Sequence, residues 1–322
     1  MSDTVAVIDV GSNSIKLLVA CLGSAPKSLE TLFSETIETR ISAGISRELP
    51  SLREVAIAGG TATICELHRL ALAYQPAHIA IVATSAVRDA LNGDDFVQSV
   101  FEATGLRIRI LSGPEEARHI GQGLACDPAI AGEPRFIQTD IGGGSLELIR
   151  FEGGVIQQAL SLQLGAVRLT ERFVSDKDAP LAPEAETAIR AHVTEQLKAS
   201  DFNFSPRDLP LIATGGAFTV SRAILAAEAG IDMTQSEPLL EREALGRLKQ
   251  KLAKQTLHDR LSTPHLPAAR ADIIPTALVT IDALLEYAER DQLTHSYYNL
   301  RYGIAADLLF KKTLFTDSLM PL

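Results

Sequence analysis

Short apolar runs alternate along the chain with longer stretches in which apolar residues recur at helical spacing, so the sequence predicts alternating strands and helices. Strands are predicted at 5–19 and 136–151 (each a hairpin), 29–40, 78–83, 106–111, 160–165 and 209–218, with a short strand and turn at 295–303. Helices are predicted at 52–72, 94–104, 112–118, 166–173, 183–198, 219–229, 237–261, 276–290 and 304–314. Because Gly59 and Gly60 interrupt the helix at 52–72, we expect its centre to be soft or broken.

The two hairpins share one pattern, in which an apolar strand ends in an acid, turns through glycine and serine, and continues as a second strand. The segments align without gaps, pairing Asp9 with Asp140, Gly11 with Gly142, Ser14 with Ser145 and Leu17 with Leu148. Such a repeat indicates a duplicated protein whose hairpins face each other across a cleft. The alternative is two ordinary hairpins that never meet.

The turn of the second hairpin is suited to binding phosphate. Three consecutive glycines, 142–144, remove every Cβ, so backbone amides can close on an anion, while Asp140 can hold a cation beside it. A third glycine turn, formed by the pair Gly215 and Gly216, follows the strand at 209–214 without an accompanying acid. That pair either lines the same site or forms an ordinary tight turn between strand and helix.

Four charged residues lie after predicted strands or at a predicted turn. Arg88 comes after the strand at 78–83, where its forked guanidinium would clamp phosphate, although a surface arginine is the alternative. Glu115 and Glu116 lie in the first turn of a helix that starts at Ser112, where the helix dipole keeps them ionised. A carboxylate there would orient and deprotonate a water beside a phosphate, unless both glutamates serve only the helix start. Arg301, at the predicted turn, carries a suitable charge for a polyanion.

Composition narrows the functional classes. A chain of 322 residues with 46% apolar content predicts two domains, joined by a linker near 126–134. The net charge of −10 argues against nonspecific binding to DNA or RNA. We expect neither a signal peptide nor a membrane span, and three widely spaced cysteines predict neither disulfides nor a zinc site. The cytoplasm is therefore the expected location.

In this order, the motifs resemble those of the exopolyphosphatase/guanosine pentaphosphate phosphohydrolase family. The resemblance covers nearly the whole chain and rests on residues 9–14, 84–88 with Asn92, 112–117, 140–147 and 270–275. It implies an α/β, actin-like duplicated fold (the sugar kinase/Hsp70/actin group, related to ribonuclease H) with two domains around a central cleft. The domains would be 1–125, completed by the C-terminal helix 304–322, and 126–303.

The resemblance also implies roles for individual residues. Glu116 would be the catalytic base, and Asp140, Glu147 and Asp9 would surround a magnesium ion, for which manganese is an alternative. The phosphate oxygens would be held by Gly11, Ser12, Asn13, Ser14, Arg88, Gly142, Gly143, Gly144 and Ser145, with Arg301 as a further candidate.

The implied activity is magnesium-dependent hydrolysis of the terminal phosphoanhydride of inorganic polyphosphate, with release of orthophosphate. The alternatives are hydrolysis of guanosine pentaphosphate, a sugar kinase or actin-like ATPase, and a non-catalytic sensor that binds polyphosphate or guanosine penta- or tetraphosphate. The resemblance suggests a homodimer, whereas the composition and the absence of a long apolar run lead us to expect no nucleic-acid or membrane partner. Long family members carry an additional C-terminal helical domain, and we expect this chain to resemble the short, two-domain form instead. Tyr302 stands where the family pattern has a glutamate.

Overall fold

The computed structural model describes residues 4–25, 28–43, 50–130, 133–153 and 155–311. The chain divides into two compact units. Unit 1 contains the described residues up to Glu133 and those from Tyr298 onward, and unit 2 runs from Pro134 to Tyr297. The division predicted from sequence was at 125/126 and 303/304, whereas the units meet at 133/134 and 297/298.

Unit 1 is built on a five-stranded mixed sheet. Its strands are β1 (Val5–Val10), β2 (Ser14–Leu22), β3 (Leu29–Glu38), β4 (His78–Ala83) and β5 (Ile108–Ile110). Their order is β3-β2-β1-β4-β5, in which β2 is antiparallel to β1 and β3, while β1, β4 and β5 are parallel. Every residue of β1 is buried, as expected of a central strand covered on both faces.

The first segment of unit 1, up to Glu133, contains the helices α1 (Glu54–Leu72), α2 (Ser85–Arg88), α3 (Gly93–Thr104) and α4 (Gly113–Leu124). Helix α1 is continuous over 19 residues, so the prediction of a soft or broken centre is wrong. The reason is tertiary packing: Gly60 is buried, and a Cβ at this position would lie 2.9 Å from the ring of Phe96 in α3. Glycine here lets the two helices approach closely. Gly105 ends α3 in the left-handed conformation, which glycine adopts without strain.

Unit 2 repeats the sheet of unit 1 and adds one strand at its edge. Its strands are β6 (Arg135–Ile141), β7 (Leu146–Glu152), β8 (Val155–Leu162), β9 (Leu211–Thr214), β10 (Leu239–Glu241) and β11 (Gln292–His295). The order β8-β7-β6-β9-β11 reproduces β3-β2-β1-β4-β5 with the same strand directions, and β10 pairs with β11. This repeated topology confirms the predicted duplicated, actin-like α/β fold.

The helices of unit 2 are α5 (Ala166–Phe173), α6 (Pro183–Ala199), α7 (Gly216–Glu228), α8 (Arg242–Ala253), α9 (Leu257–Leu261) and α10 (Ile274–Tyr287). Most of α10 is buried, and its side chains join those of α5, α6 and α8 in one apolar core with the sheet. Burial of this apolar surface is the main force that stabilises the unit.

After β11 the chain returns to unit 1 as α11 (Leu300–Ala306), which a π-helical turn, Asp307–Lys311, follows. The predicted turn at Arg301 is wrong, because α11 begins at Leu300 and includes Arg301, Tyr302 and Gly303. The predicted end of the closing helix, 312–314, lies outside the described residues. No helix among the described residues is long and apolar enough to cross a lipid bilayer.

Helices α4 and α11 pack through two glycines. A Cβ at Gly303 would lie 1.7 Å from the carbonyl oxygen of His119, and one at Gly123 would lie 2.2 Å from the carbonyl oxygen of Asn299. Both neighbours are backbone atoms, so neither can move aside like a flexible side chain. The close contact between these helices therefore requires glycine at both positions.

We predict that Gly303→Ala lowers the free energy of unfolding by about 1–3 kcal/mol, because it overpacks a backbone contact. Gly59→Ala is the matched control, since a Cβ added there would have no atom within 4 Å and alanine favours a helix interior. We expect the control to be neutral or to stabilise by up to about 1 kcal/mol. Urea unfolding followed by circular dichroism measures both, and equal effects of the two substitutions would contradict the packing argument.

Candidate functional site

The two predicted hairpins form with the same register and the same turn. Asp9 pairs with Lys16 across β1 and β2, and Asp140 pairs with Glu147 across β6 and β7. The amide of Gly11 donates to the carbonyl of Ser14 over 3.1 Å, and that of Gly142 donates to Ser145 over 3.0 Å. The structure thus confirms the alignment made from sequence, within each unit.

In unit 1 the turn is held by the backbone that follows β3. The carbonyl of Ser12 accepts from the amide of Ser42, and the carbonyl of Asn13 accepts from the amides of Thr39 and Arg40. Carbonyl oxygens repel anions, and here two of them are engaged by backbone donors. The turn is therefore fixed before any ligand binds.

The turn of unit 2 is held by the equivalent segment, the backbone that follows β8. The carbonyl of Gly142 accepts from Ala166, and that of Gly143 accepts from both Val167 and Arg168 at the start of α5. Within the described chain, the amides of Gly143 and Gly144 donate to no backbone carbonyl. A turn whose carbonyl groups accept backbone hydrogen bonds, and two of whose amides donate none to the backbone, has the character of an anion-binding nest.

Sequence reasoning missed the residues that support these turns. Nε of Arg40 donates to Oδ1 of Asn13 over 3.3 Å, and Nε of Arg168 donates to the carbonyl of Gly144 over 3.0 Å. A Cβ at Gly165 would lie 2.3 Å from the backbone of Gly144, so this glycine lets α5 reach the turn. Both arginines follow the third strand of their unit, but the gapless alignment pairs Arg40 with Glu171, so the sequence repeat gives no signal for them.

Two acids of unit 2 lie side by side, each held by a hydroxyl group. Oγ1 of Thr214 donates to Oδ2 of Asp140 and accepts from Nε2 of Gln138 over 3.0 Å. Oγ of Ser161 donates to Oε1 of Glu147 over 2.8 Å, and Glu147 is only 2% exposed. Their hydrogen-bond partners fix both carboxylates on neighbouring strands.

This donor set fits a magnesium ion, which typically takes one or two carboxylates and completes its shell with water and substrate phosphate. Among the described residues, no three or more His, Cys, Asp or Glu side chains group together as a metal cage.

The third glycine turn, Gly215 and Gly216, adjoins Asp140. Gly215 has a φ of +100°, and a Cβ there would lie 2.5 Å from Oδ1 of Asp140. Gly216 starts α7, and its Cβ would lie 2.3 Å from the guanidinium of Arg270. The pair is therefore a tight strand-to-helix turn that also lies against Asp140. Arg270, in a 3-10 turn at Ala268–Arg270, covers its second glycine.

The neighbouring glutamates of unit 1 have different environments. Glu115 closes a capping box with Ser112: its carboxylate accepts from the Ser112 amide over 2.9 Å, and its own amide donates to the Ser112 hydroxyl. Glu116 points elsewhere, is 6% exposed, and accepts a hydrogen bond from Nη1 of Arg88 over 2.9 Å. Glu115 thus serves the helix start, which leaves Glu116 as the buried acid of this pair.

The short helix α2 contacts both Glu116, through Arg88, and the glycine turn of the same unit, through Ser85. Nη1 of Arg88 also donates to the carbonyl of Leu111 over 2.9 Å. The hydroxyls of Ser85, in the same short helix α2, and Ser12, in the turn, lie 3.2 Å apart. Arg88 is therefore a partly buried arginine beside the turn, and its contact with phosphate stays a prediction. Asn92, from the same motif, instead binds the backbone of Leu52 through two hydrogen bonds.

Asp9 and Arg301 are both buried within unit 1. Burial raises the pKa of Asp9, and the positive charges of Lys16 and Arg301 partly offset this effect. Nη1 of Arg301 donates to the carbonyl of Leu17 over 2.9 Å and to Oγ of Ser34 over 3.2 Å. The structure thus places Arg301 behind the first hairpin, where its charge acts on Asp9. Its predicted phosphate contact and the metal role of Asp9 stay predictions.

Tyr302 has a structural contact at the position where a family glutamate was expected. Its hydroxyl lies 2.9 Å from Oγ1 of Thr31 in β3, and its ring packs on Tyr298 with centroids 4.3 Å apart. These contacts fasten α11 to the sheet of unit 1.

Comparison with known proteins identifies similar sequences over nearly the whole chain. A family model described as the Ppx/GppA phosphatase family matches residues 22–312. Exopolyphosphatase 2 from two strains of Mycobacterium tuberculosis, CDC 1551 / Oshkosh and H37Rv, is 31% identical over 328 aligned residues. The alignment covers 94% of this chain and 98% of each relative.

Solved structures show the same fold at lower identity. An exopolyphosphatase from Cytophaga hutchinsonii is 23% identical with a TM-score of 0.84, covering 95% of this chain and 98% of its own. The Ppx/GppA enzyme of Aquifex aeolicus is also 23% identical, with a TM-score of 0.77, covering 95% of this chain and all of its own. At this identity the likeness establishes the fold.

The capping box predicts a pH-dependent contribution of Glu115 to stability. The Ser112 amide and hydroxyl, with Arg109, lower the pKa of Glu115 from 4.5 to about 2. Because the folded-state pKa is depressed, this stabilisation is present at neutral pH and is lost as the pH falls from about 4.5 towards 2. Glu115→Gln should therefore lower the free energy of unfolding at pH 7, by less than about 1 kcal/mol for a half-exposed group, and by less at pH 3. Urea unfolding at both pH values measures this, and an equal loss would contradict it.

Proposed function

Because the chain belongs to the Ppx/GppA phosphatase family, we propose that it is a divalent-metal-dependent exopolyphosphatase. It would hydrolyse the terminal phosphoanhydride bond of inorganic polyphosphate and release orthophosphate. The observation that carries this proposal is the difference in environment between the two neighbouring glutamates of unit 1. Glu115 is occupied by the helix cap, whereas Glu116 is buried and held by Arg88.

Glu116 is proposed as the general base. Its carboxylate would orient a water and take its proton while the water oxygen attacks the terminal phosphorus. The bond from that phosphorus to the bridging oxygen breaks, and the shortened chain leaves with the negative charge. Arg88 has two tasks in this scheme, since it fixes Glu116 and its positive charge lies where a phosphoryl group would be held.

The two glycine turns are proposed to hold the phosphate oxygens. Their amides are fixed donors, because the turns are tied back before ligand binds, and fixed donors need no reorganisation during reaction. The proposed contacts in unit 1 are Gly11, Ser12, Asn13 and Ser14, and those in unit 2 are Gly142, Gly143, Gly144 and Ser145.

Asp140 and Glu147 would hold the metal, for which Mg²⁺ is proposed and Mn²⁺ is an alternative with the same oxygen ligands. When bound, the ion supplies positive charge that neutralises the charge developing on the phosphate oxygens. Thr214 and Ser161 keep the two carboxylates oriented for it. Asp9 is proposed as the third acid of this chemistry.

The second candidate substrate is guanosine pentaphosphate, which ends in the same kind of phosphoanhydride and needs the same catalytic groups. The finer expectations from sequence stay predictions: a homodimer in the cytoplasm, with neither nucleic acid nor membrane as partner. The net charge of −10 supports the expectation about nucleic acid.

We predict that Glu116→Gln lowers turnover of polyphosphate by at least about two orders of magnitude, because the amide cannot take the proton from water. Binding of polyphosphate should persist, since the amide keeps the shape of the side chain. Orthophosphate release measures turnover, and calorimetry measures binding. Glu115→Gln is the matched control, which should retain turnover despite its small loss of stability.

Full activity of Glu116→Gln would refute the assignment of the base. Equal loss of turnover in both variants would instead indicate damage to the start of α4.

We also predict that removal of divalent cations with EDTA abolishes orthophosphate release and that Mg²⁺ restores it. Asp140→Asn should weaken metal binding by at least about tenfold, because one of two anionic ligands becomes neutral. Mn²⁺ bound to the protein, measured by electron paramagnetic resonance, reports this without an activity assay. Glu243→Gln, an exposed acid of unit 2, is the control and should bind like the unaltered chain. Equal affinities of Asp140→Asn and the control would contradict the metal site.

A further inference from the structure

Unit 2 presents one exposed aromatic ring that the proposed hydrolysis does not use. Tyr297 follows β11 and is 45% exposed. Its ring meets the ring of His295 edge-on, with centroids 4.8 Å apart and planes at 80°. The guanidinium carbon of Arg222 lies 5.8 Å from the centroid of the Tyr297 ring. Two side chains therefore hold an exposed ring in a fixed position.

The two side chains that contact this ring, His295 and Arg222, are buried and make hydrogen bonds of their own. Nε2 of His295 lies 3.0 Å from Oγ1 of Thr219, and Nδ1 lies 3.4 Å from Nη1 of Arg222. Nε of Arg222 donates to Oγ of Ser236 over 3.0 Å, and its Nη2 donates to the carbonyl of Met233. Burial and the charge of Arg222 lower the pKa of His295 to about 3, so the imidazole is neutral near pH 7. The neutral imidazole of His295 can therefore accept a hydrogen bond from Nη1 of Arg222 through its Nδ1.

The ring lies at the edge of the sheet that carries the proposed metal acids. Strands β6, β9 and β11 are parallel, Asp140 pairs with Thr214, and Ala213 pairs with His295. The amide of Ser296 donates to the carbonyl of Ala213, which continues this register to the residue before Tyr297. Two strand spacings put the end of β11, which Tyr297 follows by two residues, about 10 Å along the carboxyl edge from Asp140. A phosphate chain bound at Asp140 and extended by a ribose spans such a gap.

Inorganic polyphosphate has no group that gains from an aromatic ring, whereas a nucleobase stacks on one face of it. A cation beside the ring strengthens such stacking. We infer that Tyr297, supported by His295 and Arg222, is a base-stacking platform that adds affinity for nucleoside polyphosphates and leaves binding of base-free phosphate chains unchanged. This inference rests on the proposed function in one respect, since the phosphate chain is placed at Asp140.

The test compares binding of guanosine pentaphosphate with that of inorganic tripolyphosphate. Both are titrated by calorimetry, with Mg²⁺, into Glu116→Gln carrying Tyr297→Ala, Tyr297→Phe or no further change. Tyr297→Ala should weaken binding of guanosine pentaphosphate by at least about fivefold, the lower end for loss of one stacked base. The affinity for tripolyphosphate should change by less than about twofold, and Tyr297→Phe should keep both affinities because it retains the ring.

Tyr74→Ala is the matched control. Tyr74 is also a partly exposed tyrosine, stacked on Phe33 in unit 1, and its loss should leave the ratio of the two affinities unchanged. Equal weakening of both ligands by Tyr297→Ala would show a structural role and overturn the inference. An unchanged affinity for guanosine pentaphosphate, or no binding of it, would also overturn the inference.

The two proposals fail in different ways. If the hydrolysis proposal is wrong, the unaltered chain releases no orthophosphate, yet the Tyr297-dependent difference in affinity persists. If the stacking inference is wrong, orthophosphate release persists and the difference in affinity is absent.

Discussion

The site depends on one constraint, which is the attachment of each glycine turn to the backbone that follows the third strand of its unit. In unit 1 the amides of Thr39, Arg40 and Ser42 occupy the carbonyls of the turn, and in unit 2 the amides at the start of α5 do so. A flexible glycine turn would lose much of its binding energy in ordering itself around a ligand. Both units repeat the same sheet and the same attachment, so each unit presents a rigid set of backbone amides at its glycine turn.

Features that depend on neighbouring residues were predictable from sequence. The hairpins followed from the spacing of acid, glycine and serine, because a tight turn is set by residues within it. The start of α4 followed from Ser112 and Glu115, since a capping box spans only four residues. The roles of Glu116 and Glu147 came from the family resemblance, and the structure adds their burial and their partners.

Features that depend on distant residues were not predictable. Gly60 looked like a helix breaker because Phe96, which it packs against, is far along the sequence. Gly303 looked like part of a turn because its partner is the backbone of α4. Arg168 and Tyr297 had no local signal, since each acquires its neighbours only when strands and helices assemble. Propensity reports on the local chain, and tertiary packing overrides it at such positions.

The central claim is that this chain removes terminal phosphate by metal-assisted attack of water. The most direct measurement incubates the unaltered chain with long-chain polyphosphate and Mg²⁺ in water enriched in oxygen-18, followed by mass spectrometry of the products. The account predicts orthophosphate carrying one solvent oxygen per molecule, with polyphosphate shortened from its ends. Release of no orthophosphate, or transfer of the phosphoryl group to an added sugar without solvent oxygen, would contradict it.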